Sequence, residues 1–225
     1  MKQHHIVMNT LFALSCALLL GTKSFAEPPN LTELKAQLVS YHNSGEYSKE
    51  FNNVIQNADN YITNQVNANN HASTHKKLAI VLDIDETSLS NYNTMVASQF
   101  CENKQQVDRA LQLGNDPAFP STLALYNHLL SEGVSIFFVT GRNQSFSQAT
   151  ISNLKAVGYK NWVGIYFRPT SDTDASVVPF KSQARTTIEQ SGYHIIASIG
   201  DQNSDFRGPN VGQSFKLPNP YYSLP

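Results

Sequence analysis

Residues 78–92 read LAIVLDIDETSLSNY, in which five apolar residues run directly into three acids interrupted by one isoleucine. A short apolar run of this kind predicts a buried β-strand. The carboxylates of Asp83, Asp85 and Glu86 repel one another and lose hydration beside an apolar strand. The arrangement costs stability unless something positive lies next to it. The stretch therefore predicts a strand whose carboxyl end meets a cation or takes part in phosphate chemistry.

Downstream of this stretch, short apolar runs alternate with amphipathic segments. The expected strands are 78–82, 134–139, 162–167 and 194–200, and the expected helices are 122–133, 144–158 and 181–192. Strand–helix alternation predicts a parallel sheet covered by helices. Glycines stand where the C-terminal caps of these helices are expected, at Gly133, Gly158 and Gly192. We therefore predict an α/β fold, with a Rossmann-like parallel sheet and helices on both faces.

Two segments lie outside this alternation. Residues 27–77 carry apolar residues at helical spacing and predict two amphipathic helices, broken near residues 43–45 and followed by a polar linker. Residues 93–120 contain the helical pattern KQQVDRALQLG and predict a small helical cap beside the active site. The predicted domains are thus an N-terminal helical extension at 27–77 and a core at 78–225 that carries the cap insertion.

Residues 1–26 have the pattern of an export signal. Lys2 precedes an apolar run at 11–20, and Ser24 and Ala26 fit the small-residue cleavage pattern. The run is shorter than the roughly 20 apolar residues that span a bilayer, which disfavours a transmembrane anchor. Lipid attachment at Cys16 is a minor alternative, because the apolar run continues beyond it. We expect a periplasmic or secreted protein with no stable membrane insertion after cleavage.

Composition restricts the classes of partner. The chain has 225 residues, 40% hydrophobic and 15% charged, which suits one globular domain with or without an appended subdomain. The formal net charge of −1 is too close to neutral to predict a nucleic-acid surface. We therefore expect a small-molecule substrate and no nucleic acid polymer, and a homo-oligomer is compatible with these numbers.

Several other catalytic classes are disfavoured. After signal removal Cys101 is the remaining cysteine, so an internal disulfide is excluded. A nucleophilic role is disfavoured without a nearby histidine, and a small core residue is favoured. The histidines form no pair at metal spacing, which disfavours a zinc enzyme. The sequence also lacks the glycine patterns of phosphate-binding loops and of dinucleotide-binding folds.

Polar residues follow three of the predicted strands. In a parallel sheet, ligands bind at the carboxyl ends of the strands. Each group alone has an ordinary explanation as a turn, a cap or a solvated helix residue. Their occurrence together at one edge of one sheet favours a functional site. In chain order they are Asp83 and Asp85 after the first strand, Thr140, Gly141 and Arg142 after the second, Lys181 early in the last long helix, and Asp201 and Asp205 after the strand ending at residue 199.

The residue types at this edge suit phosphoryl transfer. Carboxylate oxygens are the ligands that Mg²⁺ prefers. The hydroxyl of Thr140, the ammonium of Lys181 and local backbone N–H groups can donate to a phosphoryl group. Asp83 can attack phosphorus as a nucleophile. Asp85, two residues later, can protonate the leaving oxygen and then activate water.

Four motifs in this order resemble the haloacid dehalogenase-like phosphohydrolases. They are DIDET at 83–87, VTGR at 139–142, PFK ending at Lys181, and GDQNSDF at 200–206. The closer resemblance is to the acid phosphatase subfamily, which includes bacterial class C nonspecific acid phosphatases and plant vegetative storage proteins. The stretches KSQARTTIEQSGYHIIASIGDQNSDFRG and FKLPNPYY look like the plant-type branch. The resemblance covers the chain from about Leu78 to Tyr222.

The resemblance implies a role for each motif residue. Asp83 takes the place of the nucleophile, and Asp85 that of the general acid and base, with its main-chain carbonyl on the metal. Thr140, with Gly141, and Lys181 would hold the phosphoryl group. Asp83, Asp85, Asp201 and Asp205 together form the implied Mg²⁺ site.

The function expected on these grounds is an exported, Mg²⁺-dependent acid phosphatase that hydrolyses small phosphate monoesters through an aspartyl-phosphate intermediate. The alternatives are a non-catalytic storage or surface-binding protein with the same fold, and a phosphotransferase. Asn91, Tyr92 and Arg142 are candidates for lining the substrate pocket. The cap insertion follows no pattern of the family, so the substrate preference stays open.

Overall fold

A five-stranded parallel sheet forms the centre of the protein. The structure is a computed structural model that describes residues 27–101 and 103–224, so the predicted signal and Cys16 lie outside the described residues. The strands are β1 (Lys77–Leu82), β2 (Ser135–Asn143), β3 (Gly164–Arg168), β4 (Tyr193–Gly200) and β5 (Gln213–Lys216), in the order β3-β2-β1-β4-β5. The chain leaves β1 towards β2 on one side and returns to β4 on the other. The switch point, where ligands bind in such sheets, therefore lies between β1 and β4.

Two strands differ from the sequence prediction. β2 continues beyond Val139, so Thr140, Gly141 and Arg142 belong to the strand and not to a turn after it. The register between β2 and β3 shifts between Thr140 and Asn143, which marks an irregularity at this end. β5 was not expected, and because none of its residues is fully buried it gives little periodic signal.

Helices cover both faces of the sheet, as predicted. The helices are α1 (Leu31–Asn43), α2 (Glu46–Asn70), α3 (Tyr92–Ala97), α4 (Lys104–Leu113), α5 (Pro120–Ser131), α6 (Ser147–Ala156) and α7 (Val178–Gln190), with 3-10 turns at Gln144–Phe146 and Asn203–Phe206. Side chains of a strand alternate between its faces. Ile80 and Leu82 of β1 accordingly pack in the core under α2 and α5, whereas Ala79 and Val81 pack in a smaller core under α7.

The N-terminal extension packs onto the sheet through α2. Both predicted helices form, with the break at residues 44–45. The buried residues of α2 recur every three or four positions, as in an amphipathic helix: they are Tyr47, Phe51, Ile55, Ala58, Ile62 and Val66. α1 buries none of its residues, and Leu31 and Leu34 are exposed. Within the described ranges no helix, α2 included, combines the length and apolarity needed to cross a bilayer.

The cap insertion is closed at its base by two backbone hydrogen bonds. The N–H of Ser90 donates to the carbonyl of Pro117 at 2.9 Å, and the N–H of Phe119 donates to the carbonyl of Ser88 at 3.1 Å. α3 and α4 lie between these two ends. Cys101 lies between the two helices and is exposed, so its expected place in the core is wrong. The prediction failed because it rested on residue type, whereas the segment around Cys101 is largely exposed.

Candidate active site

Asp83 lies at the carboxyl end of the central strand. Leu82, the last residue of β1, is in register with Ile199 of β4, and the N–H of Asp83 donates to the carbonyl of Ile199 at 3.0 Å. The side chain of Asp83 is buried. The fold therefore holds this carboxylate at the switch point of the sheet, beside the residues that follow β4.

Three buried carboxylates converge there. Asp83, Asp201 and Asp205 each offer an oxygen, and these oxygens lie within 4.8 Å of one another. Oδ1 of Asp201 is buried without a hydrogen-bond partner, although buried polar atoms are normally paired. An all-oxygen set with an unpaired carboxylate oxygen fits a hard divalent cation such as Mg²⁺. The geometry thus brings together three of the four predicted metal ligands.

One oxygen of Asp201 and one of Asp205 are held by nearby side chains and backbone. Oδ2 of Asp201 accepts hydrogen bonds from Nε2 of Gln202 at 2.5 Å and from Nδ2 of Asn219 at 2.6 Å. Oδ2 of Asp205 accepts the backbone N–H of Gln202 at 2.9 Å, in a capping box on the 3-10 turn. Burial, followed by the charge of Asp205, raises the pKa of Asp201 to about 6. A bound cation would reverse this effect by favouring the ionised form.

Gly200, the last residue of β4, makes room for Asp205. A Cβ atom at Gly200 would lie only 2.7 Å from Cβ of Asp205 and still closer to its carboxylate. Real Cβ atoms do not approach so closely, so a larger residue would displace the carboxylate. The glycine is required by this close approach.

Lys181 of α7 bridges two of the carboxylates. Its Nζ lies 2.7 Å from Oδ1 of Asp83 and also contacts Oδ1 of Asp205, with all three side chains buried. Burial, together with the charges of Asp205 and Asp201, raises the pKa of Asp83 well above its usual range, against the opposing effect of Lys181. Burial alone would lower the pKa of Lys181, but Asp205 and Asp83 more than offset it and raise that pKa. The ammonium is therefore charged in this site.

Thr140 lies at the same edge of the sheet. β2 pairs with β1 up to Phe138, and Thr140 follows two residues later. Its side chain is buried, and Oγ1 accepts the backbone N–H of Arg142 at 3.1 Å. The hydroxyl hydrogen remains available as a donor. Gly141 is less constrained, because an added Cβ would make an ordinary 3.5 Å contact with Val177.

The side chain of Asp85 is bound to a guanidinium and is not part of the three-carboxylate group. Nε of Arg142 lies 3.1 Å from both Oδ1 and Oδ2, and Nη2 lies 2.8 Å from Oδ1. Nδ2 of Asn91 donates to Oδ1 at 2.6 Å. Burial raises the pKa of Asp85, but the charge and hydrogen bonds of Arg142, with the hydrogen bond of Asn91, offset this and lower it. Metal contact through the Asp85 carbonyl stays a prediction.

The three candidate pocket residues lie in two different places. Asn91 and Arg142 contact Asp85, and Arg142 is itself buried. The ring of Tyr92 stacks on the ring of His42 from α1, with centroids 3.4 Å apart and planes 4° from parallel. It also lies 5.4 Å from the ring of Tyr221. Tyr92 therefore connects the cap to α1 and to the C-terminal segment that follows β5.

Three polar residues of the site were not among the residues predicted from the sequence. Glu86 is buried, with φ at +50°, and its carboxylate accepts hydrogen bonds from the backbone N–H of Asn91 and the hydroxyl of Tyr47. Burial raises the pKa of Glu86 to about 8. Asp116, at the base of the cap, accepts a hydrogen bond from the side chain of Arg142. Nδ2 of Asn219 donates to Oδ2 of Asp201, a candidate metal ligand. Glu86 and Asn219 stand in the quoted motifs, so their positions were visible, whereas Asp116 carried no periodic or motif signal.

One protein-family model matches almost the whole chain. The model of the family described as HAD superfamily, subfamily IIIB (Acid phosphatase) matches residues 8–225. The chain belongs to this family. The four motifs indicated a resemblance to the acid phosphatase subfamily of the haloacid dehalogenase-like phosphohydrolases, and this match confirms it.

Relatives of this subfamily IIIB protein include plant proteins. The chain is 38% identical over 156 residues to the Stem 28 kDa glycoprotein of Glycine max, covering 67% of this chain and 61% of that protein. It is 33% identical over 148 residues to Acid phosphatase 1 of Solanum lycopersicum, covering 64% of this chain and 58% of that protein. The matched part thus spans about six tenths of each of these relatives.

The fold is also that of a solved bacterial structure. The class C acid phosphatase from Bacillus anthracis superposes with a TM-score of 0.67 at 23% identity, covering 85% of this chain and 87% of that one. At this identity the comparison supports the fold. It agrees with the parallel sheet and its covering helices described above.

Proposed function

We propose that the protein is a Mg²⁺-dependent phosphomonoesterase that hydrolyses small phosphate monoesters with Asp83 as the nucleophile. The observation that carries this proposal is the contact of Lys181 with Asp83, inside a group of three buried carboxylates at the switch point of the sheet. Such clustering costs stability unless the site binds charge. Membership of subfamily IIIB supports the same reaction.

The first step transfers the phosphoryl group to the protein. Oδ1 of Asp83 accepts a hydrogen bond from Lys181, which leaves Oδ2 to attack phosphorus. As the Asp83–phosphorus bond forms, the ester oxygen–phosphorus bond breaks and its electron pair stays on the leaving oxygen. Asp85 donates a proton to that oxygen from its protonated form, which Arg142 disfavours and acidic pH restores. An alcohol leaves, and an acyl phosphate remains on Asp83.

The second step regenerates the protein. The carboxylate of Asp85 accepts a proton from water while the water oxygen attacks phosphorus. The bond between phosphorus and Asp83 then breaks, which releases inorganic phosphate and restores the carboxylate. Arg142 and Asn91 stabilise the ionised form of Asp85 that this step requires.

The charge of the phosphoryl group is balanced by donors and by a cation. The Thr140 hydroxyl and the Lys181 ammonium can both donate to the phosphoryl oxygens. Asp83, Asp201 and Asp205, with the main-chain carbonyl of Asp85, would hold Mg²⁺. When bound, that ion neutralises the acids and stabilises the negative charge that develops on the phosphoryl oxygens.

We further propose that the protein acts outside the cytoplasm, in a periplasm or after secretion, on the pattern of residues 1–26. The substrate is a small phosphate ester, and the released phosphate is available for uptake. The near-neutral charge of the chain supports a small substrate over a nucleic acid polymer.

The test is release of p-nitrophenol from p-nitrophenyl phosphate by the full chain, with Mg²⁺, with EDTA, and with the variant Asp83→Asn. We expect turnover that needs the metal and is lost in the variant. Asp108→Asn, in the exposed part of the cap, is the matched control and should keep its activity. An inert wild-type protein would favour the storage or surface-binding alternative. Glycerol phosphate formed on addition of glycerol would instead favour the phosphotransferase.

A further inference from the structure

Asp116 is connected to the proposed general acid through one guanidinium. Nη2 of Arg142 donates to Oδ1 of Asp85 at 2.8 Å and to Oδ2 of Asp116 at 3.3 Å. The Arg142 side chain is 1% exposed and the Asp116 side chain 8% exposed, so the link is shielded from water. Arg142 is thus shared between a core carboxylate and a carboxylate at the base of the cap.

The far side of the guanidinium is fixed as well. Nη1 of Arg142 donates to Oγ1 of Thr150 on α6 at 3.1 Å. Asp116 is itself clamped, because Oδ1 of Asn153 accepts its backbone N–H at 2.9 Å and Nδ2 of Asn153 donates to its carbonyl at 2.8 Å. Thr150 and Asp116 are the two partners of the guanidinium other than Asp85, and we call them its outer anchors. Thr150 belongs to α6, and Asp116 is hydrogen-bonded to Asn153 of α6.

We propose that Asp116 is a positioning residue, which fixes Arg142 so that Arg142 in turn orients the carboxyl group of Asp85 towards the leaving oxygen. This inference rests on the function proposed above. Three hydrogen bonds from Arg142 set the plane of the Asp85 carboxyl group only if the guanidinium itself is held. Without Asp116, one of its outer anchors is lost and the carboxyl group samples other orientations. Proton transfer depends on such alignment.

The leaving group separates this role from a merely structural one. 2,4-Dinitrophenolate is stable as an anion and leaves without a proton, whereas the alkoxide of glycerol phosphate must be protonated as it leaves. A loosened general acid therefore slows hydrolysis of the alkyl ester selectively. A loosened cap or a damaged nucleophile would slow both esters alike.

The experiment measures kcat/KM of the full chain with Mg²⁺ on glycerol phosphate and on 2,4-dinitrophenyl phosphate. Because a general acid contributes roughly 10²- to 10⁴-fold, we expect Asp116→Ala to lose about 10- to 100-fold on glycerol phosphate and less than about 3-fold on the aryl ester. Asp116→Asn keeps the shape and an acceptor oxygen for Arg142, so it should retain more activity on glycerol phosphate than the alanine variant.

Two further variants distinguish a loss of Arg142 positioning from a general disturbance of the cap. Thr150→Val removes the other outer anchor from α6 and should show the same selective loss. Asp108→Asn changes a cap aspartate whose partner is Lys104 at the surface, and should alter neither rate. Equal losses on the two esters, or no loss on either, would overturn the role of Asp116 while leaving the phosphatase reaction intact. A wild-type protein inert on both esters would overturn the proposed function and the role of Asp116 together.

Discussion

The side-chain amide of Asn219 lies 2.6 Å from Oδ2 of Asp201. Asn219 belongs to the segment after β5, and its own Oδ1 accepts the backbone N–H of Tyr221 at 2.9 Å. The C-terminal segment is therefore folded back onto a candidate metal ligand. Because one oxygen of Asp201 is occupied in this way, the other, Oδ1, is the one presented to a cation.

Replacing Asn219 should weaken metal binding. Residues that orient a ligand commonly contribute 10- to 100-fold to metal affinity. We expect Asn219→Ala to weaken Mg²⁺ binding by about that factor, measured by isothermal titration calorimetry. The matched control is Asn69→Ala, since Asn69 lies in α2 and its side chain hydrogen-bonds to the backbone of Lys76. Equal affinities of the two variants would remove Asn219 from the metal site.

Replacing Lys181 should destabilise the metal-free protein. Removing one partner of a buried ion pair typically costs about 3–5 kcal/mol, because the other charge is left uncompensated. We expect Lys181→Met to lower the free energy of unfolding in urea by that amount at neutral pH in EDTA. Lys104→Met removes an exposed pair with Asp108 and should change it by less than about 1 kcal/mol. If both variants lose equally little, the contact of Lys181 with Asp83 does not stabilise the fold.

A methyl group at Gly200 should disturb Asp205. The added Cβ would overlap the carboxylate and Cβ of Asp205, so that side chain must move. We expect Gly200→Ala to cost about 1–3 kcal/mol in unfolding free energy, as overpacking does, and to weaken Mg²⁺ binding. Gly141→Ala, whose Cβ would meet only an ordinary contact, should leave the metal affinity nearly unchanged. Unaltered binding by Gly200→Ala would contradict the placement of Asp205 in the site.

Glu86 should make stability depend on pH. Burial raises its pKa from 4.5 to about 8 in the folded state, so the folded protein holds a proton that the unfolded chain releases. The resulting stabilisation is complete below about pH 4.5 and is lost as the pH rises through about 8. Its size is at most about 5 kcal/mol.

The variant Glu86→Gln isolates this contribution. The unfolding free energy of both proteins is measured in EDTA from about pH 5 to about pH 8, the range between the unfolded and folded pKa of Glu86. Over this range it should fall more steeply for the wild type than for the variant. Asp201 has a shift of the same sign, so the difference between the two proteins is the informative quantity. Parallel curves would mean that Glu86 is ionised in the folded protein.

Much of the fold and the site could be predicted because the signals were local. The strand before Asp83 is a continuous apolar run, and the α2 stripe has helical period, so their burial follows from pattern. Lys181, Asp201 and Asp205 could be placed near Asp83 because parallel strands bring their carboxyl ends to one edge.

The remaining features depend on contacts between distant parts of the chain. Asp116 reaches Arg142 only because the base of the cap folds against α6, and nothing in the neighbouring sequence marks it. Asn219 reaches Asp201 by the fold-back of the C-terminal segment. Cys101 was expected to be buried from its residue type, although its exposure is set by the surrounding cap. Local patterns do not carry such information.

The central claim is that Asp83 carries the phosphoryl group, and trapping that group tests it most directly. The full-chain variant Asp85→Asn is mixed with 2,4-dinitrophenyl phosphate and Mg²⁺, quenched in acid, digested and analysed by mass spectrometry. The aryl group leaves without a proton, whereas hydrolysis of the intermediate needs Asp85, so the acyl phosphate should accumulate. We predict one phosphoryl group on the peptide that contains Asp83, and none in Asp83→Asn. Phenolate release with that peptide unmodified, or with the phosphoryl group on another residue, would contradict the account.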